Sequence, residues 1–253
     1  MTVIVGILCE DGVMLGSDSS ATLSVSDDLR TIEQPIKKTL VISDHILMAG
    51  TGQGGLSQRF EHVLMKVRTA KKFEQSDPFD ISKTICAETI ADFGATNCDR
   101  GQFGALVAFQ SIKGCHLCEF ALRDFQPEFK TPEQWFASMG SGQLITDPLL
   151  AMLRRVLFKD TRPKLREGLF AATWALQHAI ELNPGGINAP IQLGVLRCVG
   201  QSRRMTAALL NDDELQEHKE NVEGIEKHIA AYRDILSGAS PPPPSPPSPP
   251  SSA

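Results

Sequence analysis

The chain has 253 residues and a mass of 27.5 kDa, long for one ordinary domain and short for two. With 42% hydrophobic and 22% charged residues it can bury a sizeable core, and a formal charge of −5 argues against nucleic acid as its main partner. No apolar run approaches the ~18 residues of a membrane span, and the apolar opening at residues 3–9 lacks a basic leader and a cleavage site, so a soluble, cytoplasmic protein with no membrane partner is expected.

Two strand–turn–strand units come first. Residues 3–8 are apolar, Glu10-Asp11-Gly12 is turn chemistry, and residues 13–16 are apolar again. A polar loop over 22–36 follows. Residues 39–42, a Ser43-Asp44 turn and residues 46–49 then repeat the pattern. The glycine-rich bend of residues 50–55 leads into a helical period, in which Phe60, Val63, Leu64 and Val67 share one face. A second helix is predicted over 80–93, with Asp80 as its N-cap and Pro78 just upstream.

Residues 103–109 and 115–122 form a third hairpin, and 135–139 a further strand ending at Gly140-Ser141-Gly142. Helices follow at 143–157 and 165–182, the latter stopped by Asn183-Pro184-Gly185-Gly186. A late strand at 191–198 precedes an acidic segment. Strands that arrive as hairpins argue for antiparallel sheets, hence an α+β fold with two stacked sheets between two helical layers.

Six cysteines spread over the chain are too sparse for a disulfide scaffold. Cys115-His116-Leu117-Cys118 has the spacing of half a zinc site, but no second pair accompanies it. Strand alternation would put Cys115 and Cys118 on opposite faces. The six histidines show no metal-site spacing, so neither a metal nor a cofactor is expected.

The last 43 residues differ in kind. Leu215, His218, Val222, Ile225, Ile229, Tyr232 and Leu236 step by threes and fours, a narrow heptad seam suited either to pairing with another helix or to lying on the chain's own domain. Residues 211–236 carry eight carboxylates against three basic side chains, so this segment holds the whole −5. Residues 240–253 are proline, serine and alanine only, which predicts an extended, mobile tail. Three units result: a body over 2–210, an acidic helix over 211–238 and a tail over 239–253.

The chemistry starts at the amino terminus. Removal of Met1 would leave Thr2 with a free α-amine beside its hydroxyl. Such an amine, with a reference pKa of ~7.7–8.0, is partly neutral near physiological pH. It can take the hydroxyl proton directly or through water, making threonine nucleophile and base in one residue. Thr2-Val3-Ile4-Val5-Gly6 runs into a hairpin and then Gly16-Ser17-Asp18-Ser19-Ser20, followed by Lys37-Lys38 before a strand, the bend with Gly52, and Gly140-Ser141-Gly142. This series resembles the proteasome β-subunit family, which includes the HslV-type threonine proteases, over roughly residues 2–199. The small betaproteobacterial proteasome-homologue branch is the most similar.

The resemblance implies an N-terminal-nucleophile hydrolase, a four-layer αββα sandwich, with Thr2 as nucleophile and its amine as general base. It implies that Asp18 holds the catalytic lysine, which the family pattern puts at Lys38 with Lys37 turned away. Asp18 to Lys38 is about four residues longer than the family pattern, so the 22–36 loop is extended and the lysine register less secure. Gly52 matches the glycine whose N–H binds the substrate oxyanion, and Ser141 the serine that hydrogen-bonds the Thr2 amine. The second family aspartate falls at Glu181, and the serine three residues later at Pro184, which cannot supply that hydroxyl. Gly50 falls where the family sets the depth of the specificity pocket. The implied activity is peptide hydrolysis by a homo-oligomeric double ring, heptameric rings favoured and hexameric ones possible, acting on peptides or polypeptides with an unknown ATPase unfoldase, if any. The alternatives are an inert ring subunit or scaffold and an amidohydrolase of small amides.

Overall fold

The computed structural model describes residues 1–26, 29–98, 101–183, 186–199 and 204–238. The chain opens with β1 (Val3–Leu8) and β2 (Gly12–Ser17), fully buried along their length. They pair antiparallel, Ile4 opposite Ser17, across the predicted Asp11-Gly12 turn. Strands covered on both faces are continuous apolar runs, as these are. β5 (Thr39–Ser43) and β6 (Ile46–Gly52) form the second predicted hairpin. The third is β7 (Phe103–Ser111) with β8 (Gly114–Phe120). Short β9 (Pro127–Phe129) pairs with β8, while β10 (Phe136–Gly140) returns to β1.

The residues between β2 and β5 correct the expectation of a polar loop. They form a ribbon of two antiparallel strands, β3 (Ser20–Ser26) and β4 (Leu29–Pro35), with register shifts after Leu23 and Ser24. The ribbon belongs to neither large sheet, so it needs no continuous apolar face, and that is why its pattern does not announce a strand. The segment beyond β11 (Gln192–Val199) is likewise not simply acidic. β12 (Arg204–Leu209) pairs with β11 first.

Among the described residues four α-helices cover the sheets and a fifth packs on one of them. α1 (Gly54–Ala70) buries Leu56, Phe60, Val63, Leu64 and Val67, the predicted stripe. α2 (Pro78–Gly94) begins two residues earlier than predicted, because Asp77 rather than Asp80 is the N-cap. Its carboxylate accepts from Phe79 N at 2.9 Å, and Pro78 sits at the first helical position, where a missing N–H costs nothing. α3 (Gln143–Val156) and α4 (Leu165–Leu182) lie where their periods place them. α5 (Asp212–Leu236) is capped by Asn211, whose side chain accepts from Glu214 N while Glu214 reaches back.

The sheets run β10-β1-β2-β11-β12 and β5-β6-β7-β8-β9. They stack face to face, and α3 and α4 cover the first while α1 and α2 cover the second. The four-layer αββα sandwich is therefore present, with α5 laid on α4 outside it. One buried cluster joins the sheets to the α3/α4 layer through Trp135, Leu150 and Leu176. The other gathers Phe60, Phe103, Phe120 and Phe125 under α1 and α2. At about 1.5–3 kcal/mol for each large apolar side chain withdrawn from water, these two layers hold the sheets in fixed relation.

Cys115 is half-buried and Cys118 fully buried, on opposite faces of β8 as strand alternation requires. α5 follows only half of the expectation that its seam lies inward. Leu215, His218 and Val222 are buried, whereas Ile229, Tyr232 and Leu236 are more than half exposed. The expectations for Pro184 and for the 240–253 tail fall outside the described residues. No helix among the described residues is long and apolar enough to cross a membrane.

Candidate active site at the amino terminus

Thr2 precedes β1 directly, at the edge where β10 comes alongside, and β1 ties it into the first sheet. Gly140 makes that approach possible. Its φ is +94°, and a Cβ there would lie 2.3 Å from Thr2 O, so only glycine lets the β10 end turn against the chain's start. The turn delivers Ser141, whose Oγ accepts from Thr2 N at 3.1 Å and donates to Thr2 O at 3.3 Å. With Met1 in place, Thr2 N is an amide, and the Thr2 hydroxyl donates to Met1 O at 2.8 Å.

Asp18 follows β2 and is wholly buried. Its Oδ1 accepts from Val3 N at 3.0 Å and its Oδ2 from Ser20 N at 3.1 Å. The residue therefore caps its own turn and also fixes the strand that starts just after Thr2. Lys38 completes the group. Its Nζ donates to Asp18 Oδ1 at 2.8 Å and Oδ2 at 2.9 Å, to Thr2 Oγ1 at 3.1 Å and to Met1 O at 3.3 Å. Lys37 is exposed, so the structure brings Lys38 and not Lys37 to Thr2, despite the lengthened β3–β4 ribbon before it. Burial pushes the Lys38 ammonium below the ordinary lysine range, and the Asp18 carboxylate pulls it back up. A cation whose desolvation is incompletely offset by its partner is poised to exert its field on the adjacent hydroxyl and α-nitrogen.

A cavity of about 360 Å³ opens over Thr2 and Lys38, lined also by Ala21, Gly50, Gly52 and Ser57. Gly52 closes β6 with φ +109°, and a Cβ there would sit 2.1 Å from Gln102 O. Only glycine fits there, and it forms part of the cavity wall. At Gly50 a Cβ would press on the Phe103 ring at 3.0 Å and Ser57 Oγ at 3.1 Å, so glycine keeps this wall back.

Glu181 is not part of the group. It is exposed on the last turn of α4. The buried face of that helix runs through Ala172, Ala175, Leu176 and Ala179. Two residues beyond Ala179 is about 200° around the helix, toward solvent. The sequence reading missed Ser19 and Gln192, which stand behind Lys38: Gln192 Nε2 donates to Ser19 Oγ at 2.7 Å, and Gln192 Oε1 accepts from Lys38 N at 2.9 Å. A lone glutamine at a strand start carries no sequence signal for such a task. Among the described residues no three His, Cys, Asp or Glu side chains converge as a metal site would require.

Residues 2–188 match the family described as proteasome subunit. The chain belongs to the proteasome subunit family. Among solved structures, a mutant of Anbu from Hyphomicrobium sp. strain MC1 superposes with a TM-score of 0.68 at 11% identity, covering 91% of this chain and 97% of that one. At that identity the likeness shows the shared fold. No curated protein matches the chain. Family membership accounts for the mixed helix and sheet layers, which are those expected of a proteasome-type subunit.

Proposed function

We propose that this chain is a threonine peptidase in which Thr2, freed by removal of Met1, is the nucleophile. The observation that carries the reading is the Lys38 Nζ, 3.1 Å from Thr2 Oγ1 and 2.8 Å from Asp18 Oδ1. Thr2 Oγ attacks the scissile carbonyl carbon, and the α-amine takes the hydroxyl proton. The Lys38 cation favours the ionised hydroxyl and the neutral amine, lowering the pKa of both. The carbonyl oxygen becomes an oxyanion within reach of the Gly52 backbone. The protonated amine then passes its proton to the leaving nitrogen, and an acyl ester on Thr2 remains. Water, deprotonated by the same amine, hydrolyses that ester and restores the threonine. Ser141 holds the α-nitrogen in place throughout.

The assembly we propose is a homo-oligomeric double ring in the cytoplasm, heptameric by analogy with the branch it most resembles, with peptides or unfolded polypeptides as substrates. The second reading is an inert ring subunit: in a chain that retained Met1, Thr2 N would stay an amide and the Thr2 hydroxyl would stay bonded to Met1 O. Incubation with a peptide epoxyketone, followed by mass mapping, tests the proposal, because that warhead closes a ring only with a hydroxyl and a free α-amine on one residue. A doubly bonded adduct on Thr2 is the expected result. An intact Met1 with no adduct overturns the peptidase reading.

A further inference from the structure

We infer that Gln192 is a positioning residue for the Lys38 ammonium, acting through the backbone segment that carries it. Its activity readout rests on the peptidase reading above; its geometry does not.

Residues 36–38 lie between β4 and β5, outside any strand ladder. Their backbone groups need partners from elsewhere, since Lys38 and Thr39 are both buried. Ile36 N donates to Ser19 O at 2.9 Å and Lys38 O accepts from Gly50 N at 3.2 Å, and the Gln192 side chain holds three more groups of residues 36–39. Its Oε1 accepts from Lys38 N at 2.9 Å and from Thr39 N at 3.2 Å. Its Nε2 donates to Ile36 O at 2.8 Å and to Ser19 Oγ at 2.7 Å. One amide has two acceptor positions and two donor hydrogens, and here all four are used. Gln192 stands opposite Ser17 in the β2–β11 pair, one residue from Asp18. A single side chain therefore grips the segment bearing the ammonium and the residue following its carboxylate partner. Ser17 Oγ and Thr39 Oγ1, 2.8 Å apart, close the same ring.

The lysine stem is long and flexible, so Nζ is located by its acceptors, which after removal of Met1 are Asp18 and Thr2, only while the backbone beneath it stays put. Those contacts span 2.8–3.1 Å. A displacement of about 1 Å at a reacting group can cost ~10²-fold in rate. Releasing residues 36–39 from Gln192 allows a displacement of that kind and lets water reach the ammonium.

The test compares wild type with Gln192→Leu, which keeps the stem and loses all four bonds, and with Gln192→Glu, which keeps the acceptor and loses donors when ionised. Two readouts are taken on the assembled protein. In the first, peptide turnover by Gln192→Leu is expected to fall about 10- to 100-fold in kcat with KM within about threefold, and Gln192→Glu to fall less. A kcat within threefold of wild type, or a loss carried by KM alone, overturns the inference. In the second, trace acetic anhydride labels amines across a pH series and peptide mapping reads Lys38. The pH of half-labelling is expected to move up, toward that of ordinary lysines, in Gln192→Leu. An unchanged value overturns the inference. Should Gln192→Leu fail to assemble, Gln192→Met, which also keeps the stem and loses all four bonds, is judged by the same two criteria. If wild type shows neither turnover nor a Thr2 adduct, the peptidase reading falls and the labelling curve alone judges Gln192.

Discussion

Asp18→Asn isolates the electrostatic half of the site, because it preserves shape and removes one charge. Asp18 is fully buried and its carboxylate lies 2.8 Å from Lys38 Nζ. At an effective dielectric constant of about 20 that separation corresponds to a gross attraction of ~6 kcal/mol, set against the desolvation of both ions. Removing one partner of a buried pair leaves the other uncompensated, which costs about 3–5 kcal/mol. The amide adds a second loss. Val3 N and Ser20 N donate to different carboxylate oxygens, and an amide offers only one oxygen, so one buried N–H faces an NH₂ and loses its partner, at about 1–3 kcal/mol. For a domain of this size each kcal/mol is worth roughly 2–4 °C in Tm, so the charge alone predicts a fall of about 6–20 °C at pH 7. The pH dependence carries the sharper signature. Lys38 is already held below the ordinary value of 10.5 by burial, with Asp18 opposing. Without Asp18 it drops further. Between that lowered value and 10.5 the unfolded chain binds more protons than the folded one, so stability rises with pH. The deficit of the variant is therefore largest at neutral pH and shrinks toward pH 10. Differential scanning fluorimetry of both proteins at pH 7, 8.5 and 10 measures it. A variant within 2 °C of wild type at pH 7, or a deficit of constant size from pH 7 to 10, refutes the reasoning.

Thr2→Ala is expected to assemble as wild type does and to lose all turnover and epoxyketone adduct, while Thr2→Ser retains part of both; native mass spectrometry with a peptidase assay checks this. Lys38→Ala should lower kcat by ~10²–10⁴, the scale of acid–base contributions, whereas Lys37→Ala, altering an exposed side chain, should stay within about threefold in the same assay. Truncation after Gly238 is expected to leave mass and melting temperature unchanged. Truncation after Asn211 removes α5 from the α4 face holding Leu169, Phe170 and Trp174 and should lower Tm by several degrees or break the assembly, as light scattering and fluorimetry would show.

Much of the sandwich was legible in the sequence, because its strands are apolar runs closed by turn residues and its helices have apolar stripes. α3 and α4 lie within a residue of their predicted bounds. What escaped carries no periodic signal of its own. The β3–β4 ribbon stands apart from both sheets, so no single buried face stamps a period on it. β12 is specified mainly by its pairing with β11. Within the site, Thr2, Asp18, Lys38 and Ser141 were legible only because their spacing resembles a family. Residue chemistry alone offered a threonine at position 2 and nothing to join it to a lysine 36 positions away. Glu181 shows the limit of that transfer, since its place in a gapped comparison matched while its helical phase sends it to solvent. Gln192 shows the converse, a side chain with four partners spread over residues 19–39 and no motif of its own.

The acidic helix brings these strands of argument together. Its seam is continuous in sequence, yet burial stops after Val222, with Ile225 only partly covered. The reason lies in what it packs against. α5 rests on α4, and Trp174 Nε1 donates to Glu226 Oε1 at 2.9 Å near the end of the covered stretch. Beyond that contact Ile229, Tyr232 and Leu236 extend past the α4 face, with no further layer above them among the described residues. A cavity of about 340 Å³ bounded by Met152, Val156, Trp174, Ile225, Ile229 and Tyr232 marks the place where coverage ends. Burying the whole helix would also have meant burying its carboxylates, and among the described residues only Glu217 and Glu223 have a cationic partner, Arg166 and Lys227, to offset that cost. The sequence period was therefore a correct account of the helix and an incomplete account of its environment: a heptad seam records which residues favour leaving water, while the length of α4 decides how many of them do so within one chain.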